Sequence, residues 1–130
     1  AKHAAPHLRE SRGALVLMAS TRALQSEPDT EAYAASKGGV VQLTKSLATA
    51  WAADNIQVNA ILPGWFTTDM TAPLDTDEFR EFHDEIIGRT PAGRFGEPEE
   101  LGGTAVYLAS QASDFVTGQS IPVCGGYSIR

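Results

Sequence analysis

The sequence predicts an α/β fold: a doubly wound parallel sheet of about three strands with flanking helices. The apolar run at 14–19 shows no polar alternation, which is typical of a parallel strand buried on both faces. A second short apolar run follows at 56–62, and the segment between the two carries apolar residues at helical spacing. Strands separated by helices indicate right-handed βαβ crossovers, with helices on both faces of the sheet.

The first half of the chain has the pattern helix, strand, helix. Residues near 2–10 resemble the end of a helix, and Gly13 is its expected terminator. The first strand leads into a polar loop at 21–29. Asp29 or Thr30 can cap the next helix, which we expect to run to about residue 53.

The second half has the pattern strand, helix, helix, strand. After the strand at 56–62, an amphipathic pattern predicts a helix over 75–87. A further helix begins near residue 97, with a proline and acidic residues in its first turn. The last strand is expected at 119–123, where Pro122 cannot donate a ladder hydrogen bond. This strand should therefore lie at a sheet edge or carry a bulge.

Composition limits the class of protein. The chain has 130 residues, of which 42% are hydrophobic, and this suits one compact domain. Its net charge of −6, without a cluster of lysine and arginine, argues against a nucleic-acid partner. No apolar run could span a bilayer and no signal peptide is visible, so we expect no membrane partner and a cytoplasmic location.

Cysteine and histidine give no sign of a metal site. The single cysteine, Cys124, excludes an internal disulfide and a cysteine-rich zinc site. The histidines His3, His7 and His83 lack mutual ligand spacing, so we expect them to be surface residues. The predicted sheet is thin, and nothing in the sequence obviously covers the outer edge of its first strand. An open apolar edge favours pairing with further strands, so a larger sheet is expected.

Tyr33 and Lys37 stand four residues apart, which puts a phenol and an ammonium on one face of a helix. A phenol titrates near 10 in water, and a nearby positive charge favours the phenolate. The pair can therefore serve as a tuned acid and base. On spacing alone, a surface lysine beside a half-buried tyrosine is the commoner arrangement.

The predicted topology places these two residues near other polar groups. Ser20 ends the first strand, the helix carrying Tyr33 follows its loop, and Pro63-Gly64 follows the second strand. Ligands of open α/β sheets bind beyond the carboxyl ends of the strands. This shared position favours a catalytic role for Tyr33 and Lys37.

These residues belong to longer motifs, and with them the chain resembles the C-terminal half of a short-chain dehydrogenase/reductase over nearly all of its length. The Tyr-x-x-x-Lys pattern alone is weak, but together the motifs are highly specific. They are Ser20 thirteen residues before Tyr33, the run Ser36-Lys37-Gly38-Gly39, Val58-Asn59-Ala60, Pro63-Gly64 with Thr68, the segments 93–101, 107–110 and 116–119, and Gly125-Gly126.

The resemblance implies three catalytic residues. Tyr33 would be the general acid in carbonyl reduction and the general base in alcohol oxidation. Lys37 would lower the pKa of Tyr33 and hydrogen-bond the nicotinamide ribose. Ser20 would hold the substrate oxygen as charge develops there. The alternative for Ser20 is a simple cap at the strand end.

The resemblance also implies a site for NAD or NADP. Beside Tyr33 and Lys37, the cofactor contacts would come from Pro63 and Gly64, from the Phe66 backbone, and from Thr68. Alternatives remain, in which Pro63-Gly64 is a plain turn and Thr68 a helix cap. Trp65 either lines the substrate pocket or covers the end of the sheet. The segment 68–90 resembles the mobile substrate lid of the family.

Departures from the family pattern concern mainly what is absent. No Gly-rich dinucleotide fingerprint occurs in the chain, so the pyrophosphate cradle is missing. We therefore expect residues 1–130 to be the C-terminal part of a single dehydrogenase domain, inactive on its own. The residue that selects NAD or NADP would lie in the other half. Gln57 stands where arginine is usual, and Cys124 stands where aspartate is usual.

Three hypotheses follow. The first is a fragment of an oxidoreductase that interconverts a secondary alcohol and a ketone of a small-molecule substrate. Its loop after Pro63 most resembles gluconate (sugar-acid) dehydrogenases, with 3-oxoacyl-carrier-protein reductases as the alternative. The second is a non-catalytic oligomerisation fragment of a homo-oligomer, dimer or tetramer. The third is a natural half-protein that joins a partner chain bearing the fingerprint. Candidates for an oligomer contact or for intrachain core are Val40, Leu43, Leu47 and Trp51.

Overall fold

A three-stranded parallel sheet forms the centre of the computed structural model, which describes residues 3–129. The strand order is β1-β2-β3, so β2 is central. The strands are β1 (Ala14–Met18), β2 (Gln57–Pro63) and β3 (Ser120–Val123). The helices are α1 (Ala5–Ser11), α2 (Glu31–Trp51), α3 (Arg80–Arg89) and α4 (Gly102–Leu108). The predicted α/β fold with a parallel three-stranded sheet is confirmed.

The carboxyl ends of all three strands lie at the same edge of the sheet, because the strands are parallel. In the β1–β2 pair, Ala14 lies opposite Gln57 and Met18 opposite Ile61. In the β2–β3 pair, Pro63 lies opposite Val123. Within the described residues β3 is an outer strand, as expected for a strand that contains Pro122. The other outer strand is β1, whose far edge has no strand partner within residues 3–129.

The core lies where α2 covers the sheet. One cluster joins Trp51 and Ala48 of α2 to Ile56 and Val58, and it includes Ala5 of α1. A second cluster surrounds Ala19, Ala60 and Leu62, where Val40 and Val41 pack. Of the four residues considered for an oligomer contact, Leu43 is exposed, and the other three pack in this core: Val40, Leu47 and Trp51.

The ends of two helices differ from the prediction. At α1 the left-handed residue is Arg12, with φ of 51°, and not Gly13. Gly13 has a different reason to be small, because a Cβ there would lie 3.0 Å from the Leu8 side chain. Helix α2 ends at Trp51 and continues as a 3-10 turn, Ala52–Asp54. Thr30 precedes α2, but its hydroxyl donates to Glu27 O at 2.6 Å and caps nothing in the helix.

The predicted helix over 75–87 was wrong at both ends. Its start is divided into two 3-10 turns, Ala72–Asp75 and Asp77–Phe79, before α3 begins. The extended backbone of Thr76 separates the two turns, and its hydroxyl bonds to Pro73 O at 2.8 Å. Helix α3 then runs to Arg89. No helix within residues 3–129 is both long and apolar enough to cross a membrane.

Candidate active site

Ser20 lies just beyond the carboxyl end of β1, where the sequence placed it. Its side chain is buried and its residue is 8% exposed. The Oγ atom accepts a hydrogen bond from Arg22 N at 3.2 Å and caps the 3-10 turn Thr21–Ala23. The capping role considered from the sequence is therefore real, and it fixes the orientation of the Ser20 hydroxyl.

Tyr33 and Lys37 occupy the first two turns of α2 and contact each other. The Lys37 Nζ atom lies 5.5 Å from the centroid of the Tyr33 ring. The same ammonium donates to Met18 O, the last carbonyl of β1, at 3.4 Å. The Tyr33 residue remains 49% exposed. The phenol and ammonium thus stand together at the carboxyl edge of the sheet, with the phenol open to a ligand.

Gly64 is required by a close approach of two chain segments. A Cβ on this residue would lie 2.6 Å from Cys124 Cβ and 2.8 Å from its Cα. The amide of Gly64 donates to Val123 O at 3.0 Å, which continues the β2–β3 pairing past Pro63. The Pro63-Gly64 turn therefore brings the ends of β2 and β3 into contact.

Phe66 and Thr68 are held by the loop that follows. The Phe66 ring packs against Gly96, and its carbonyl accepts from Thr71 Oγ1 at 2.6 Å. The Thr68 amide donates to the same Thr71 hydroxyl at 2.9 Å, and Thr68 is exposed. Within the described residues no hydrogen bond links Thr68 to the Tyr33–Lys37 pair.

Trp65 joins three parts of the chain. Its ring lies 5.9 Å from Phe82 of α3, 6.0 Å from Phe95 and 6.4 Å from Tyr127, measured between centroids. The sequence left open whether this residue lines a pocket or covers the sheet end. These contacts connect α3 to the chain's last turn, and Trp65 also lines a small cavity together with Phe66 and Cys124, so both arrangements stay open.

A partly buried ionic cluster that the sequence does not predict lies beside Ser20. The Arg22 side chain is 9% exposed and pairs with the Glu27 carboxylate. Tyr127 Oη donates to Glu27 Oε1 at 2.6 Å and accepts from Arg22 Nη2 at 3.4 Å. Arg89 at the end of α3 donates to the same Glu27 oxygen at 2.9 Å. We call Arg22, Glu27, Arg89 and Tyr127 the Glu27 cluster.

Hydrogen bonding outweighs burial in this cluster. Burial by itself raises the pKa of Glu27, but hydrogen bonds from Tyr127 and Arg22 more than offset this and lower the pKa below its ordinary value of 4.5. Burial likewise disfavours the Arg22 cation, yet its bonds to Tyr127 and Glu27 raise the pKa of the guanidinium. The carboxylate and the guanidinium are both held in their charged forms.

The signals for this cluster in the sequence were weak. Arg22 stands two residues after Ser20, and Tyr127 follows Gly125-Gly126, but nothing in the spacing joins them to Glu27. Arg22 also lies 5.9 Å from the Trp65 ring centroid and 5.7 Å from that of Tyr127. Within residues 3–129, no group of three or more His, Cys, Asp and Glu is placed to hold a metal ion.

Sequence comparisons relate the chain to known dehydrogenases and reductases. The family model described as enoyl-(acyl carrier protein) reductase, of the short-chain dehydrogenase/reductase family, matches residues 1–128. The chain is 46% identical over 123 residues to a 2-dehydro-3-deoxy-D-gluconate 5-dehydrogenase of Bacillus subtilis, covering 95% of this chain and 48% of the relative. It is 44% identical over 129 residues to a gluconate 5-dehydrogenase of Gluconobacter oxydans, covering 99% and 48%.

A solved structure extends the comparison to three dimensions. A gluconate 5-dehydrogenase of Burkholderia cenocepacia, crystallised in complex with NADP and tartrate, superposes with a TM-score of 0.88 at 40% identity. The match covers 97% of this chain and 49% of that one. The chain thus spans about half the length of the relatives it matches, and it aligns with their C-terminal half. This chain belongs to the short-chain dehydrogenase/reductase family.

Proposed function

We propose that this chain supplies the catalytic acid and base of an NAD(P)-dependent oxidoreductase that interconverts a secondary alcohol and a ketone. The observation that carries the proposal is the Tyr33–Lys37 pair at the carboxyl end of β1, with Ser20 two residues beyond that strand. The substrate we propose is a sugar acid of the gluconate type, because two relatives at 44% and 46% identity are gluconate-type dehydrogenases.

Tyr33, Lys37 and Ser20 each have a separate role in the proposed reaction. Tyr33 gives a proton to the carbonyl oxygen in reduction and takes it from the alcohol in oxidation. Lys37, held beside the Tyr33 ring, stabilises the phenolate by its charge. Ser20 donates to the substrate oxygen as negative charge develops there, because its hydroxyl proton is free when its Oγ accepts from Arg22 N.

The chain fits the nicotinamide end of the cofactor. Bound NADP or NAD would accept or deliver the hydride. Tyr33 and Lys37 would hold its ribose, and the turn at Pro63, Gly64, Phe66 and Thr68 would lie along the ring and phosphates. Tyr33 and Thr68 are exposed at this edge, which leaves room for such a ligand. The pyrophosphate cradle has no counterpart in this sequence, so a second half must supply it.

The proposed unit is therefore larger than these 130 residues. We assign 1–130 as the C-terminal part of one dehydrogenase domain, with the lid at 68–90. Assembly as a homo-oligomer and a cytoplasmic location stay predictions. Exposed Leu43 on α2 is consistent with a contact between subunits. The alternatives of a non-catalytic oligomerisation fragment and of a half-protein with a partner chain also stay open.

A chimera tests the activity. The N-terminal half of the Gluconobacter oxydans relative is joined to this chain, and reduction of NADP or NAD by gluconate is followed at 340 nm. We expect turnover with gluconate and a loss of at least about a thousandfold in kcat for Tyr33→Phe. A folded chimera that reduces a 3-oxoacyl thioester and leaves gluconate untouched would favour the carrier-protein reductase alternative.

Binding of NADPH to the 130-residue chain alone tests whether this chain lacks a cofactor site of its own. We expect no saturable binding, because the cradle is missing. Tight binding of NADPH to the 130-residue chain would contradict the assignment of the cofactor cradle to a second half.

A further inference from the structure

Arg89, the last residue of α3, contacts the loop that follows Ser20. Its Nη1 atom donates to Glu27 Oε1 at 2.9 Å, although the two residues are 62 positions apart. Its Cζ atom lies 4.8 Å from the centroid of the Tyr127 ring. The Arg89 side chain is 38% exposed, so this contact lies at the edge of the Glu27 cluster. The end of the proposed lid at 68–90 is thereby joined to the loop after β1.

The two oxygens of the Glu27 carboxylate have different partners. Oε1 accepts from Arg89 Nη1 and from Tyr127 Oη, whereas Oε2 pairs with Arg22 Nη2. Both oxygens are acceptors on one rigid, planar group, so a shift at Oε1 also moves Oε2. The position of the Arg22 guanidinium therefore depends on the bonds that Oε1 makes.

Arg22 extends this dependence to Ser20. Its guanidinium is bonded to Glu27, and its backbone amide donates to Ser20 Oγ at 3.2 Å. Arg22 is the middle residue of the 3-10 turn Thr21–Ala23, which Ser20 caps. Because Oγ accepts from this amide, the position of the turn limits the directions in which the Ser20 hydroxyl proton can point. A hydrogen-bond donor for a developing negative charge is effective only when it is oriented in advance.

Helix α3 buries little of its surface. Ile86 is the buried residue of the helix, and most of its other residues are exposed. Two aromatic contacts add to this, since Phe82 meets the ring of Trp65 and His83 meets the ring of Phe95. A segment with few buried contacts opens locally at a low free-energy cost. Helix α3 can therefore move away while the sheet stays folded, and such a movement separates Arg89 from Glu27.

We infer that Arg89 is a positioning residue for Ser20. Through Glu27 and Arg22, it links the docked position of α3 to the orientation of the Ser20 hydroxyl. The inference rests on the proposed function, which assigns Ser20 as the donor to the substrate oxygen and 68–90 as the lid. The hydroxyl is fully oriented only when α3 is docked, so the site is complete only after the lid has closed. Such coupling is reciprocal, and an ordered Ser20 loop also favours the docked helix.

Arg89→Gln tests this link without leaving a buried charge alone. Glu27 keeps Arg22 and Tyr127 as partners in this variant, and the arginine that is lost is partly exposed. Loss of the whole fold is therefore not expected. The Arg22 amide is a direct reporter, because its acceptor is the Ser20 hydroxyl oxygen.

Amide hydrogen exchange of the ¹⁵N-labelled chain is followed by NMR in the unmodified protein and in Arg89→Gln. We expect exchange at the Arg22 amide to accelerate on the order of tenfold. The Ala19 amide donates to Ile61 O at 2.9 Å and continues the β1–β2 pairing, so its exchange rate should not change. An unchanged rate at Arg22 would overturn the inference. Equal acceleration at Arg22 and Ala19 would also overturn it, because that result indicates general destabilisation.

Two further variants separate the Arg89 contact from a general effect of charge. Arg80→Gln removes an exposed arginine at the start of the same helix, where it pairs with Asp77, and should leave exchange at Arg22 unchanged. Arg89→Lys keeps a cation near Glu27, so the Arg22 amide should exchange more slowly than in Arg89→Gln. Equal acceleration by Arg80→Gln and Arg89→Gln, or identical rates in Arg89→Lys and Arg89→Gln, would contradict the inference.

A double-mutant cycle in the chimera tests the link to catalysis. Arg89→Gln should lower kcat and kcat/KM for gluconate by a similar factor, on the order of tenfold, because the oriented hydroxyl acts in the transition state. In a Ser20→Ala background the same substitution should cause no further loss of kcat. Equal losses in both backgrounds would assign Arg89 a structural role and overturn the inference. The exchange measurement requires no catalysis, so a folded chimera without gluconate turnover counts against the proposed function alone.

Discussion

The backbone amide of Arg22 donates to the hydroxyl oxygen of Ser20 at 3.2 Å. This single bond ties the proposed oxyanion donor to a residue whose side chain is anchored in the Glu27 cluster. Because that cluster also includes Arg89 from the end of α3 and Tyr127 from the last turn, the geometry at Ser20 depends on distant parts of the chain.

Removing the shared carboxylate should destabilise the fold. In Glu27→Gln, the Arg22 and Arg89 guanidiniums lose their anionic partner, and Arg22 is buried. Breaking a buried pair on one side costs about 3 kcal/mol. Urea denaturation should show this loss, whereas Asp77→Asn, in an exposed pair, should leave the midpoint nearly unchanged. Equal midpoints for Glu27→Gln and the unmodified chain would contradict the role of the cluster.

Stability should also depend on pH through the same residue. The pKa of Glu27 is lowered in the folded chain from 4.5, because hydrogen bonds from Tyr127 and Arg22 outweigh burial. A lowered folded-state pKa contributes stability that is present above about 4.5 and is lost as pH falls through the folded value. Urea midpoints measured from pH 7 downward should therefore converge for the unmodified chain and Glu27→Gln below pH 4.5. If the urea midpoints of the two proteins differ by the same amount from pH 7 to below pH 4.5, the prediction is wrong.

Gly64 and Gly39 should respond in opposite directions to alanine. A Cβ at Gly64 would lie 2.6 Å from Cys124 Cβ, so Gly64→Ala forces the ends of β2 and β3 apart and costs about 2 kcal/mol. At Gly39, inside α2, a Cβ meets nothing within 4 Å, and alanine should stabilise the helix by about 1 kcal/mol. Thermal unfolding of the two variants provides the comparison. A stabilised Gly64→Ala protein would show that the contact is not restrictive.

Asn59 should be essential to the position of β3. Although it lies in the central strand and is 1% exposed, its amide donates to Val116 O at 2.7 Å and its carbonyl accepts from Gln119 N at 3.0 Å. Asn59→Leu leaves both backbone groups without their partner, at a cost of about 2 kcal/mol or more. Amide hydrogen exchange at Gln119 should accelerate, while exchange in the β1–β2 ladder stays slower. Unchanged protection at Gln119 would rule out this contribution.

Local patterns predicted most of the fold. The apolar runs gave β1 and β2, and Pro122 indicated that β3 lies at an edge. The rim position of Ser20, Tyr33 and Lys37 followed from general topology, because parallel strands share one carboxyl edge. The exact ends of helices did not follow. Thr76 divides a segment whose apolar spacing is helical, and Arg12 takes the left-handed conformation expected of glycine.

Contacts between distant residues could not be predicted from the sequence. Glu27 and Tyr127 are 100 positions apart and meet only because the last turn packs over the loop after β1. Asn59 interrupts the apolar pattern of its strand, and the reason is a pair of bonds to residues 57 and 60 positions later. In each case a polar side chain bonds to residues that are far away in the sequence, and the spacing of apolar residues does not indicate which residues those are.

The shared carboxylate of Glu27 has an evolutionary consequence. Three side chains from three separate segments depend on it, so replacing any one of them alone leaves a charge or a donor unmatched in a water-poor environment. Positions 22, 27, 89 and 127 should therefore vary as a coordinated set among homologous sequences. A homologue with a different residue at position 22 is expected to differ at positions 27, 89 and 127 as well. The residues between these positions can change independently.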